Sequence, residues 1–174
     1  MTSKRSGDLM IPLDQYPHIP HWFTLRQAIA ELQNSVIEIE GQRSLPRALL
    51  VFDEKYDLLG IVRRRDILGG LEPKFMRTMS HPHRKQLFDV EADPDLTVLT
   101  SGKVAKAVRE LAETPISEVM QPIRATVDIN DHVTKAIYKM ITRDQNLLPV
   151  LKDRKVVGVI RSVDVFNEIA RIVM

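Results

Sequence analysis

Apolar positions along this chain follow two periods, and the same alternation of periods is written twice. Leu25, Ala28, Ile29 and Leu32 recur at i, i+3, i+4 and i+7, one face of an amphipathic helix. A continuous apolar run at 48–52 follows, then a charged turn at 53–57, then a second run at 58–62. Two short runs around a polar turn predict a β-hairpin. In the second half Val133, Ala136, Ile137 and Met140 repeat the helix face. The runs 147–151 and 156–160 then flank the turn Lys152-Asp153-Arg154-Lys155. Each second run ends alike, as Gly60-Ile61-Val62-Arg63-Arg64-Arg65-Asp66 and as Gly158-Val159-Ile160-Arg161-Ser162-Val163-Asp164. A further helix is predicted after each Asp, with Phe166, Ile169, Ala170 and Val173 as the apolar face of the second. Asp8-Leu9-Met10-Ile11-Pro12-Leu13 likewise returns as Glu118-Val119-Met120-Gln121-Pro122-Ile123. The predicted unit is β-α-β-β-α, present in two copies that bury their apolar faces against each other.

Two segments break the symmetry. The polar, turn-rich stretch 34–44 has no counterpart in the second copy and is expected to be a longer helix end plus an exposed loop. The connector, residues 71–114, is too long for a plain linker. Its early part, 77–85, is expected to be irregular, and Asp89, Glu91, Asp93 and Asp95 form an acidic strip after it. A helix is predicted near 101–113, capped by Ser101, with Val104, Ala107, Val108 and Leu111 as its stripe. That stripe should pack on the rest of the chain, because apolar surface left in water costs about 25 cal/mol per Å².

Composition narrows the function more than the fold. The 174 residues are 44% hydrophobic and 28% charged, with a net charge of +2 and a pI near 8.9. Such a low charge, with only 5% aromatics, argues against a nucleic-acid partner, which needs basic surface and stacking rings. No apolar stretch is long enough to span a membrane, and no signal-peptide core opens the chain, so a soluble cytoplasmic protein is expected. The absence of cysteine removes disulfides, thiol nucleophiles and cysteine zinc sites. His81 and His83 lack a third ligand in sequence, as do His18 and His21, so no metal is expected. No nucleophile-base-acid series or phosphate loop is present, and no enzyme is predicted.

Paired β-α-β-β-α units with Val-Met-x-Pro or its like at the start and Gly-h-h-x-x-x-Asp at the end resemble the CBS domain family. The resemblance covers residues 7–70 and 115–174 and leaves the connector outside. It implies an α/β (α+β) fold in which two repeats pack about a pseudo-two-fold axis as a Bateman module, with a partly helical connector. It also implies a regulatory role: such modules bind adenine nucleotides (AMP, ADP or ATP) or S-adenosylmethionine in the clefts between repeats. With no other domain attached, action in trans on a separate, unidentified protein is expected.

The resemblance also implies site residues. Asp66 and Asp164 match the acids that hold the ribose hydroxyls, Thr126 matches a Thr near base and sugar, and His18 is its first-half counterpart. The family's Ser/Thr phosphate anchor is replaced by Arg63 in one copy and Arg161 in the other, with Ser162 one place later. A guanidinium can bind phosphate bidentately, or its length can fill the cleft. The bland alternatives are a carboxylate that offsets a helix dipole and a solvated basic run at 63–65. Two functions therefore compete, a nucleotide sensor and a dimeric interaction module that binds no nucleotide. A homodimer is expected on either reading, with Trp22, Phe23, 133–141 and 165–173 as contact sources.

Overall fold

The computed structural model describes residues 3–74 and 101–174. The histidine pair at 81 and 83, the segment 77–85 and the acidic strip 89–95 lie outside the described residues. The first half contains α1 (Ser6–Leu9), β1 (Ile11–Pro12), β2 (His18–Pro20), α2 (Leu25–Asn34), β3 (Ile37–Ile39), β4 (Gln42–Ser44), β5 (Ala48–Phe52), β6 (Leu58–Arg63) and α3 (Arg64–Leu71). The rest contains α4 (Ser101–Leu111), β7 (Gln121–Pro122), β8 (Val127–Asp128), α5 (Val133–Thr142), β9 (Leu147–Lys152), β10 (Lys155–Arg161) and α6 (Ser162–Val173). Two four-stranded sheets result, in the orders β2-β5-β6-β7 and β1-β10-β9-β8.

Those orders show an exchange. β1, at the start of the first unit, pairs with β10 of the second, Ile11 opposite Val159 and Pro12 opposite Gly158. β7, at the start of the second unit, pairs with β6 of the first, Gly60 opposite Pro122. This explains the glycine that opens each shared motif. A Cβ on Gly60 would lie 2.6 Å from the Gln121 carbonyl oxygen, and one on Gly158 would lie 2.4 Å from that of Ile11. Only glycine lets the incoming backbone approach so closely.

Alternation within each strand divides the core into layers. Leu49 and Val51 face α2 and α3, packing with Ile19, Leu25, Val62 and Ile67. Leu50 and Phe52 face the other sheet, where Ile11, Tyr16, Ile61 and Val159 join them. Leu148, Val150 and Ile160 pack with Val133, Ala136, Met140 and Val165 from α5 and α6. The order is therefore helices, sheet, sheet, helices. Helix α4 lies against α3, and the chain after it closes the start of α2. The Leu25 N–H donates to Thr114 O at 2.9 Å and the Arg26 N–H to Ala112 O at 2.9 Å. These bonds satisfy helix-end donors that have no partner within their own helix.

One sequence expectation is corrected, and one helix face is oriented. Residues 37–44 form the hairpin β3–β4, not a helix end and loop. Ile37 is buried in the inter-sheet core and Ile39 packs against it, so the apolar positions alternate as in a strand. Glu40 and Gly41, at φ 50° and 79°, make the two-residue turn with positive φ at both positions that suits a hairpin. The orientation of α6 is the point periodicity left open. Its periodic stripe faces out, with Phe166 69% and Val173 77% exposed, while Val165 and Glu168 face in. The strand-to-helix joint at Arg161–Ser162 has no loop to adjust the helix rotation. The inward Glu168 is tolerated because Lys4 Nζ donates to it at 2.7 Å.

Candidate functional site

Each sheet delivers one strand directly into a helix, β6 into α3 and β10 into α6. Asp66 and Asp164 thereby fall in first helical turns, where the dipole favours negative charge. In both places the arginine three residues earlier turns back onto the carboxylate as a fork. Arg63 donates from Nε to Asp66 Oδ2 at 2.9 Å and from Nη2 to Oδ1 at 3.0 Å. Arg161 donates from Nε to Asp164 Oδ2 at 2.8 Å and from Nη2 to Oδ1 at 2.7 Å. Asp66 additionally accepts the Arg63 backbone N–H at 2.8 Å and Gln121 Nε2 at 3.3 Å, so it also serves as a helix-start acceptor. The bond to Asp66 holds the Arg63 pKa above the ordinary arginine value, against the smaller opposing effect of burial.

The two forks differ in enclosure. In the first, Arg63 is 46% exposed over an Asp66 that is 6% exposed, whereas Arg161 and Asp164 are each 13% exposed. The β3–β4 hairpin of the first unit provides the difference. Arg161 Nη1 donates to Ser44 Oγ at 3.0 Å, and Arg171 Nη2 to Glu40 Oε2 at 2.5 Å. The insertion that only the first copy carries is thus fastened across the second copy's fork. A cavity of about 220 Å³ remains beside it, with Asp8, Glu40, Ser44, Arg161, Asp164 and Glu168 in its walls. Tyr16 reaches the same neighbourhood from the inter-sheet core, its hydroxyl donating to Ala48 O at 2.7 Å. Burial pushes the Tyr16 phenol well above its ordinary pKa; the Arg161 charge opposes that and the Asp164 charge adds to it.

The other candidates are placed elsewhere. His18 Nδ1 meets Tyr16 O at 2.9 Å, and its Nε2 meets the Tyr56 hydroxyl, with the ring edge-on to Phe52 and Tyr56. It lines a separate cavity of about 260 Å³ that also includes Asp14 and Glu31. Thr126 is half-buried and its carbonyl accepts Lys139 Nζ. Ser162 donates its backbone N–H to Asn146 O at 2.8 Å. Neither is among the residues lining the Asp164 cavity. The structure therefore brings together Arg161 with Asp164, and Arg63 with Asp66. It adds Ser44, Gln121 and Glu40, which sequence reasoning did not select. Gln121 was readable only as part of a Met-x-Pro strand start, and Ser44 only as part of an exposed loop. Among the described residues no group of three or more His, Asp or Glu gathers as a metal site, and no helix is long and apolar enough to cross a membrane.

The profile of the CBS domain family matches residues 108–171. No curated protein sequence matches the chain significantly. Among solved structures, the CBS domains of a transcriptional regulator from Streptococcus pneumoniae share 14% identity over 95% of this chain and 99% of that one, with a TM-score of 0.61. CBSX2 in complex with AMP shares 16% over 99% of this chain and 100% of that one, at 0.62. The cytosolic domain of the Mg2+ channel MgtE in complex with ATP shares 18% over 96% of this chain and 49% of that one, at 0.59. Residues 108–171 are thus matched as a CBS domain, and the solved structures extend the same fold over the whole chain. Its two units together have the fold of a Bateman module, mixed α+β with two four-stranded sheets that exchange one strand each.

Proposed function

We propose that this chain is a regulatory rather than catalytic module. It binds an adenine nucleotide, AMP, ADP or ATP, at Asp164 and acts in trans on a partner protein in the cytoplasm. The observation that carries this reading is the enclosed Arg161–Asp164 fork with its third bond to Ser44. A phosphate offers the guanidinium a bidentate partner of the same geometry as a carboxylate. When Arg161 turns to phosphate, both Asp164 oxygens become free to accept ribose hydroxyls. Nucleoside without phosphate gives Arg161 no reason to leave. The AMP bound in CBSX2 and the ATP bound in the MgtE domain support the ligand class. Arg63 and Asp66, with Gln121, form the equivalent and more open site of the first unit.

Size adds a mechanism. Ligand pockets commonly hold about 300–1,000 Å³, so a cavity of about 220 Å³ is too small for a nucleotide as it stands. Binding must move the β3–β4 hairpin, which is attached through Ser44 and Glu40. A ligand that favours the open hairpin shifts the population toward it, and that shift is what a partner can read.

One observation favours a second reading. Both Asp164 oxygens are already paired, so the fork could serve only to lock the units together in an interaction module without nucleotide. Thermal unfolding with AMP, ATP and adenosine separates the two. The sensor reading expects stabilisation by the phosphorylated ligands and little by adenosine, since binding the native state raises stability. Equal, null responses to all three would leave the interaction module standing.

A further inference from the structure

We infer that Arg171 and Glu40 select the ligand of the Asp164 cavity by its number of phosphates. Arg171 is the cation for a second, more distal phosphate, and Glu40 occupies it until such a ligand arrives. The inference rests on the nucleotide reading above and narrows it to an adenosine di- or triphosphate. Asp164, Glu168 and Arg171 stand at i, i+4 and i+7 on one face of α6, and all three line the cavity. Arg171 starts two turns beyond Asp164, roughly 10 Å along the helix axis. Helical side chains lean toward the N-terminus, so Arg171 reaches back toward Asp164. A single phosphate held by Arg161 beside Asp164 does not span that distance. A chain of two or three phosphates extends along it.

The ion pair already in place has the charge pattern of such a complex. Arg171 Nη2 donates to Glu40 Oε2 at 2.5 Å, from α6 to the turn of the β3–β4 hairpin. Its Nη1 lies 3.8 Å from Glu168 Oε2, but that carboxylate is already neutralised by Lys4 Nζ at 2.7 Å. The hairpin movement that admits a nucleotide therefore releases Arg171 from Glu40 as it releases Arg161 from Ser44. Among the described residues Arg43 is the other arginine in the cavity wall, but it lies on the hairpin, with its Nε 3.9 Å from Glu38, and leaves with it. Arg171 stays on α6. Its side chain and that of Glu40 are 59% and 66% exposed, and exposed pairs hold weakly. A terminal phosphate carries more charge than a carboxylate and can accept bidentately from a guanidinium, so the exchange favours the ligand.

The test is titration calorimetry of the full chain with ATP, ADP and AMP, with circular dichroism as the control for folding. Wild type should bind ATP and ADP more tightly than AMP. Arg171→Ala should lower the ratio of ATP to AMP affinity roughly tenfold, the loss of one charge-assisted bond. Arg171→Lys keeps the charge without the fork and should lower it less. Glu40→Gln removes the internal competitor and should tighten ATP binding, by up to about fivefold. A wild type that prefers AMP overturns the inference and leaves the nucleotide reading in place. So does a ratio that Arg171→Ala leaves unchanged, or a Glu40→Gln variant whose ATP affinity is unchanged or weaker. A wild type that binds none of the three nucleotides overturns both.

Discussion

Truncating Arg161 tests the enclosed fork without any ligand. Arg161→Ala removes two charge-assisted bonds to Asp164, at 2.8 and 2.7 Å, and one to Ser44 at 3.0 Å. It also leaves a carboxylate that is 13% exposed without its cation. Hydrogen bonds to charged groups contribute about 1.5–3 kcal/mol. Breaking a fully buried pair costs about 3–5 kcal/mol. A pair that water still touches belongs between these, at about 2–3 kcal/mol. The internal control is Arg63→Ala. Its fork has the same shape, but the guanidinium is 46% exposed, and Asp66, itself 6% exposed, keeps the Arg63 N–H and Gln121 Nε2 as donors after truncation. Urea unfolding of both variants at neutral pH gives the comparison, read as midpoint shifts at constant slope. Arg161→Ala should lose at least twice the stability that Arg63→Ala loses. Equal losses, or a larger loss at Arg63, would refute the reasoning that the hairpin encloses one fork and not the other.

Other expectations follow from the same geometry. Gly158→Ala should destabilise strongly, by about 3 kcal/mol or more, since a Cβ 2.4 Å from a backbone oxygen exceeds ordinary overpacking. Gly69→Ala, in open space within α3, should instead stabilise by about 0.5–1 kcal/mol, and thermal melts distinguish the two. Amides of 37–44 should exchange faster with AMP or ATP bound, and unchanged protection in a ligand-saturated protein would separate binding from hairpin movement. Burial acts to raise the Asp131 pKa, but Lys135 at 2.8 Å and the Asp128 N–H at 2.9 Å hold it below the ordinary value. Its contribution is therefore complete above the usual aspartate range and lost as pH falls through the lowered value. Asp131→Asn should make acid unfolding shallower, as followed by circular dichroism.

The repeat was legible because each unit's local pattern agrees with its place in the fold. Leu25, Ala28 and Leu32 are buried, as are Val133, Ala136 and Met140, and both apolar pairs of runs form hairpins. What periodicity could not supply was orientation. The stripe of Phe166, Ile169 and Val173 marks a helix correctly, but periodicity is the same for a face turned toward a sheet or away from it. The 37–44 hairpin carried its own signal, Ile37-Glu38-Ile39 before Glu40-Gly41, which the polar composition around it outweighed. The exchange of β1 and β7 was not legible at all, because two-residue strands have no period. The equivalence of Arg63 with Arg161 and of Asp66 with Asp164 was legible from the repeat, whereas their pairing as forks was not. Nor was Ser44, since its approach to Arg161 spans 117 positions and depends on how the units pack.

Titration calorimetry of the wild type, Asp164→Ala and Arg161→Ala with ATP, AMP and adenosine tests nucleotide sensing at this cleft most directly. Wild type should bind ATP or AMP more tightly than adenosine. Asp164→Ala should weaken nucleotide binding roughly ten- to a hundredfold, the equivalent of about 1.5–3 kcal/mol. Arg161→Ala should penalise ATP and AMP far more than adenosine. No heat of binding in the wild type, or nucleotide affinity that survives or improves in Arg161→Ala, would contradict it and identify the arginine as a plug.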